Sequence, residues 1–320
     1  METSDRQPMK LRPYVTEAVW GGDRLAREYG IDPQGRANTA EAWALSAHPR
    51  GSSTVETGPF AGQTLGQLFA ARPELFGSRC AGKERFPIIV KLIDAKDDLS
   101  LQVHPRDGDP VLRPGEAGKT ECWYILEAPP GALLYLGFRE AITRAQFAAA
   151  IENKTIMSYV EPFGVEAGDF YFIPAGTLHA IGEGVLLAEV QQSSDTTYRV
   201  YDYNRLQNGA PRPLHIEQAR AVTDLLPYEP ARQKWGLFGS KRLCECDYFT
   251  VEERDARFGF SEEAEDESFV HLLILEAAGD AKLEWDDLEL PIAKGDSILV
   301  PAGAGKFSVD GEVRALVTSV

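Results

Sequence analysis

At 320 residues, with 43% hydrophobic and 26% charged side chains, the chain has the length and balance of a globular protein of one large or two modest domains. A formal net charge of −16 argues against a nucleic-acid groove and an anionic membrane surface, and no apolar run approaches membrane length. The start Met1-Glu-Thr-Ser-Asp-Arg-Gln lacks the basic and apolar regions of a signal peptide, and Cys80, Cys122, Cys244 and Cys246 show no knuckle spacing, so a cytoplasmic protein with free thiols is expected.

In chain order, the first clear helix covers Leu65–Ala71. Short apolar runs follow: Phe86-Pro-Ile-Ile-Val-Lys-Leu-Ile, Cys122-Trp-Tyr-Ile-Leu, Ala132-Leu-Leu-Tyr-Leu, Asp169-Phe-Tyr-Phe-Ile and Val185-Leu-Leu-Ala-Glu-Val. Glycine and proline punctuate them, which predicts strands of a closed sandwich or barrel, not a doubly wound sheet. Helices are expected besides at 143–152, with Thr143 as N-cap, and at 216–225. Cys244 and Cys246 share one strand face without evident partners.

The run Gly168-Asp-Phe-Tyr-Phe-Ile-Pro-Ala-Gly-Thr recurs 127 residues later as Gly295-Asp-Ser-Ile-Leu-Val-Pro-Ala-Gly-Ala. In each, Gly-Asp makes a turn, the apolar run a strand, and Pro-Ala-Gly a second turn. Upstream, Trp123-Tyr-Ile-Leu-Glu-Ala is echoed by Leu272-Leu-Ile-Leu-Glu-Ala, so the chain carries two related β units. Lys306 stands where the first unit has His179, and Val270 falls opposite Glu121.

Gln102 and His104 are two residues apart, so on a strand both face the same way, where an isolated polar pair is costly to bury. With Glu121 and His179 they make a mixed nitrogen and oxygen set suited to a divalent transition metal, zinc being the commonest. Taken singly, His179 reads as a loop histidine and Glu121 as a half-exposed strand carboxylate; the set of four points to a metal. His48-Pro49 imitates His104-Pro105 but has only Ser46 two residues before it, so His48 is read as structural, as are His215 and His271.

The strand-turn vocabulary resembles the cupins, small jelly-roll barrels, and implies a mainly β bicupin with a few short helices. The expected division is a metal-bearing catalytic domain at 1–235 and a degenerate cupin domain at 236–320. The match tightens over Glu41-Ala-Trp-Ala-Leu-Ser-Ala-His-Pro, Leu99-Ser-Leu-Gln-Val-His-Pro, Gly118-Lys-Thr-Glu-Cys-Trp-Tyr, Pro174-Ala-Gly-Thr-Leu-His and the stretch from Glu189 through Tyr203. These resemble the class I mannose-6-phosphate isomerases in their short bacterial form. The resemblance implies zinc, one per chain, on Gln102, His104, Glu121 and His179, and a small sugar phosphate isomerised through an enediol. It implies Arg199, Glu189 and Lys119 as catalytic residues, and Ser100, Lys119 and Arg199 as substrate contacts, with Ser100 on the phosphate and Lys91 a further candidate. The family's Asp after His-Pro is replaced by Arg106, which changes charge at the rim. A monomer or small homo-oligomer is expected. The competing readings are a bicupin that binds a sugar phosphate without catalysis and an iron-dependent cupin dioxygenase.

Overall fold

Short apolar runs bounded by turn residues pair edge to edge because each leaves a row of backbone donors and acceptors to satisfy. The computed structural model describes residues 3–31, 36, 38–113, 115–207, 209–229 and 239–320. A six-stranded sheet runs in the order Phe170–Ile173, Glu121–Glu127, Leu186–Gln192, Ile88–Asp94, Thr39–Leu45, Tyr14–Gly22. A five-stranded sheet runs Val160–Gly164, Leu133–Phe138, His179–Ile181, Leu101–Val103, Tyr198–Tyr201. Ile93, Trp123, Ile125, Leu134, Leu136, Tyr171 and Ile181 form one buried cluster between them. The expected closed barrel is therefore a two-sheet jelly roll whose sheets remain separate hydrogen-bonded ladders.

The other face of the six-stranded sheet is buried as well. Leu92, Cys122, Tyr124, Ala188 and Val190 cluster with Phe269, Leu273, Leu299 and Leu316 of the C-terminal unit. Strand Ile88–Asp94 is buried at every position, which is why five of its seven residues are aliphatic, with Lys91 and Asp94 the exceptions. Its alternation still sorts side chains: Val90 and Leu92 turn to the second unit, while Lys91 turns into the first.

The C-terminal unit is a nine-stranded sheet built around Gly305–Ser319 and Val270–Trp285. Met9–Arg12 pairs antiparallel with Ser297–Val300, and Thr54–Val55 pairs with Met9–Arg12, so this sheet takes in strands from the chain's start. The N-terminal segment thus laces the two units together.

The internal echo survives bond for bond. Gly168 N donates to Ile125 O (2.8 Å) and Ile125 N to Asp169 O (2.9 Å); Gly295 N donates to Ile274 O (2.8 Å) and Ile274 N to Asp296 O (2.9 Å). Both turn glycines have positive φ, 88° and 91°, which a side chain would strain. Glu121 pairs with Ile173, the residue before Pro174, and Val270 pairs with Val300, the residue before Pro301, so Val270 occupies the position of Glu121. The interior of the second unit is apolar, with Val270, Leu272, Ile274, Ile298, Val300 and Phe307 in one cluster.

The helices Leu65–Ala71 and Arg144–Glu152 each open on a capping box, Thr64 with Gln67 and Thr143 with Gln146. The third is shorter than its sequence suggests and ends at Val222. Thr223 turns extended there, and Asp224 N donates to Gly176 O, drawing the chain toward the loop before His179. A helix not anticipated, Arg24–Tyr29, ends at Gly30 in the left-handed region. Cys244, expected without a partner, lies with its Sγ 4.0 Å from that of Cys122, and all four cysteines are free thiols.

Candidate metal centre

Three strands of the five-stranded sheet set the first wall. His179 lies opposite Gln102, and Gln102 opposite Arg199, so the three residues form one row across the sheet face. His104 follows just beyond its strand. The second wall is the six-stranded sheet, where Trp123, Glu189, Lys91 and Trp43 lie in register on four neighbouring strands. Glu121, two residues before Trp123, shares that face.

His104, Glu121 and His179 converge, with one ligand atom from each lying within 4.8 Å of the others. Each is 1% exposed. His104 Nε2 is 3.5 Å from Glu121 Oε2, and His179 Nε2 is 3.4 Å from Glu121 Oε1. On the far side of each ring, Nδ1 meets a backbone carbonyl, Thr196 O for His104 and Thr177 O for His179, both at 2.9 Å. A carbonyl only accepts, so each Nδ1 carries the proton and each Nε2 presents a lone pair inward. Burial drives His104 well below its ordinary value and His179 down to about 4, so both rings are neutral near pH 7.

The donor set fits a divalent cation. His179 Nε2 and Glu121 Oε1 are buried without a hydrogen-bond partner, which costs about 1–3 kcal/mol per group unless a ligand satisfies them. Burial and then Glu189 push the Glu121 carboxyl up to about 7, a shift that a bound cation would reverse. Gln102 is placed beside the three by register and is partly exposed.

Next to this cluster lies a ladder of alternating charge. Lys119 Nζ is 2.6 Å from Glu121 Oε2, 3.1 Å from His104 Nε2 and 3.8 Å from Glu189 Oε1. Lys91 Nζ is 3.2 Å from the same Glu189 oxygen, and Trp123 Nε1 donates to Glu189 Oε2 at 2.9 Å. Burial opposes ionisation of Glu189, but Lys119, Lys91 and the indole outweigh it and hold the carboxyl at about 2. Burial also opposes the Lys91 ammonium, yet Glu41 and Glu189 more than offset it and raise its pKa.

Arg199 donates from Nε to Ser100 Oγ (3.2 Å), and its guanidinium also donates to Pro213 O. Two of the three residues expected to contact substrate, Arg199 and Ser100, thus touch each other. His215 stays out of the metal cluster, its Nδ1 accepting from Arg199 N, and His48 packs against the edge of Trp43. His271 is fully buried and hydrogen-bonded to Ser297. At the rim Arg106 pairs with Asp224, while Asp107 accepts from Gly118 N and Gln192 Nε2 and so anchors the approach to Lys119.

Sequence reasoning left Lys91 a minor candidate and passed over Glu41, Trp43 and Trp123 as site residues. The signal for Lys91 is a charge flanked on both sides by aliphatic residues of a strand; for the tryptophans only strand register reveals which face they take. A cavity of about 700 Å³ lined by Tyr29, Tyr124, Glu253 and Arg314 lies on the far face of strand Glu121–Glu127 and includes none of these groups.

Residues 9–114 match the family model for the catalytic domain of phosphomannose isomerase type I, and residues 240–320 that for the cupin domain of mannose-6-phosphate isomerase. The mannose-6-phosphate isomerase of Streptococcus mutans is 35% identical over 316 residues, 98% of each chain. The crystal structure of mannose 6-phosphate isomerase from Bacillus subtilis superimposes with a TM-score of 0.87 at 35% identity, covering 98% of this chain and 99% of that one. A zinc-bound mannose 6-phosphate isomerase structure shares the fold at 20% identity, with a TM-score of 0.75 over 97% of this chain and 98% of the other.

Proposed function

The chain belongs to the type I phosphomannose isomerase family, and we propose that it interconverts mannose 6-phosphate and fructose 6-phosphate at a zinc site made by Gln102, His104, Glu121 and His179. The observation that carries the metal is the buried His104, Glu121 and His179 cluster, with both imidazoles fixed in the ligating tautomer. Zinc bound there would supply Lewis acidity toward the sugar oxygens.

The remaining work falls to the side chains around it. Isomerisation takes a proton from one of two neighbouring sugar carbons and returns it to the other, through an enediol. The Glu189, Lys119 and Lys91 triad is the proton-handling group: it adjoins the ligands, is almost fully buried, and is held together by ion pairs through Glu189. Arg199, a fixed cation facing the same space, offsets negative charge on the enediol oxygens, and with Ser100 supplies donors for an anionic substrate. Its neutral alternative, a sugar-phosphate-binding module, has no use for a triad of this kind, and the family match disfavours it.

The test is an isomerase assay on chelated and zinc-reconstituted protein, with solvent deuterium followed into C2 of the sugar phosphate. Chelation is expected to abolish turnover and zinc to restore it, with deuterium incorporated in the active sample. Full activity in protein stripped of metal would overturn the reading.

A further inference from the structure

Lys91 carries a buried ammonium, and such a charge persists only where anions and donors compensate it. Its nearer anion, Glu189 at 3.2 Å, is shared with Lys119 at 3.8 Å. One carboxylate cannot hold two ammoniums in fixed geometry while also taking part in proton transfer. The strand Thr39–Leu45 supplies what is missing. Trp43 lies directly across from Lys91 in the ladder, and Glu41, two residues earlier, shares its face.

Glu41 Oε2 stands 3.6 Å from Lys91 Nζ. The same oxygen accepts from Trp43 Nε1 at 2.6 Å, so the carboxylate is pinned by the residue that lies opposite the lysine. The Trp43 ring places its centroid 4.9 Å from the ammonium, within cation–π range. Anion and aromatic face thus form a two-part seat on the side of Lys91 away from Lys119.

We propose that Glu41 and Trp43 are positioning residues that act through Lys91, seating its ammonium so that Glu189 remains available to the proton-handling triad. The inference rests on the isomerase reading given above. The charged groups around Lys91 are Glu41 from one neighbouring strand and Glu189 from the other, with Asp195, itself paired to Arg50, and Glu121 further off. Glu41 is the foremost of the groups that raise the lysine's pKa. Its loss therefore lets Lys91 deprotonate at lower pH.

The experiment is steady-state isomerase kinetics across pH on zinc-loaded wild type, Glu41→Gln, Glu41→Asp and Trp43→Phe, with zinc measured in each. For Glu41→Gln, kcat should fall about 10- to 100-fold with zinc content unchanged. KM should stay within about threefold, and the alkaline limb of the kcat profile should move to lower pH. Glu41→Asp should recover part of both effects. Trp43→Phe keeps the ring and removes the donor, so it should give a smaller fall with the same displacement. A Glu41→Gln enzyme with wild-type kcat and an unmoved alkaline limb overturns the proposal, as does a lowered kcat with the limb in place, which a merely structural role would give. Should Glu41→Gln not fold, Trp43→Phe decides by the same displacement or its absence. A wild type without isomerase activity is a separate outcome that removes the isomerase reading itself.

Discussion

Trp123 touches both halves of the site: its Nε1 donates to Glu189, and its ring meets His179 edge-on at 5.4 Å. Trp123→Phe retains most of the ring contact and deletes the donor to a buried carboxylate. The expected result is a loss of kcat of about tenfold with zinc still bound, read by kinetics and metal analysis together. His179→Ala differs in kind, since it removes a Glu121 neighbour and an inward lone pair. Zinc content should drop well below one per chain, and kcat by on the order of a hundredfold or more. Two residues whose rings lie 5.4 Å apart are thus separable by metal content if, as proposed, His179 holds the ion and Trp123 aligns a side chain near it.

At the scale of elements, the Gly-Asp turn and the strand it feeds are independent of the metal. Both copies make the same backbone bonds, yet only the first carries His and Glu at the ligand positions. Gly295→Ala should therefore cost stability without touching the site: φ is 91°, and a Cβ there would come within 2.6 Å of Tyr29 O. A loss of more than about 1 kcal/mol in urea unfolding, with unchanged zinc content and KM, is expected. This separation explains what the sequence discloses. Turns are local, so the repeat, the capped helices and the strand before Pro174 can be read directly, and Gln102, His104, Glu121 and His179 stand out as polar residues in or beside short apolar strands. Lys91, Glu41, Trp43 and Trp123 belong to strands far apart in the chain, and only the order of strands in the sheet shows that they meet. The end of the third helix at Val222 is likewise set from outside, by a bond to the loop before His179.

For the whole molecule the question is how the second unit, lacking ligands, supports the first. Its sheet covers the back of the strands that carry Lys91, Trp123 and Glu189, and His271 marks the junction. His271 Nε2 meets Ser297 Oγ at 2.9 Å, and Ser297 Oγ donates to Ala44 O at 2.8 Å on the strand that carries Glu41 and Trp43. Burial alone pushes this imidazole down to about 3. Its folded pKa lies below the ordinary 6.5, so the unfolded chain binds the proton more readily. The stability tied to keeping His271 neutral is complete above pH 6.5. It is lost as pH falls from there toward 3, at a slope approaching about 1.4 kcal/mol per pH unit for this one group. His271→Gln retains a donor for Ser297 but cannot titrate. Urea unfolding of both proteins between pH 7 and pH 4 should show the wild type losing stability faster than the variant, whatever the other histidines contribute to both. Parallel slopes would mean that the junction admits water and a proton, and that the two units separate locally before the rest of the chain unfolds.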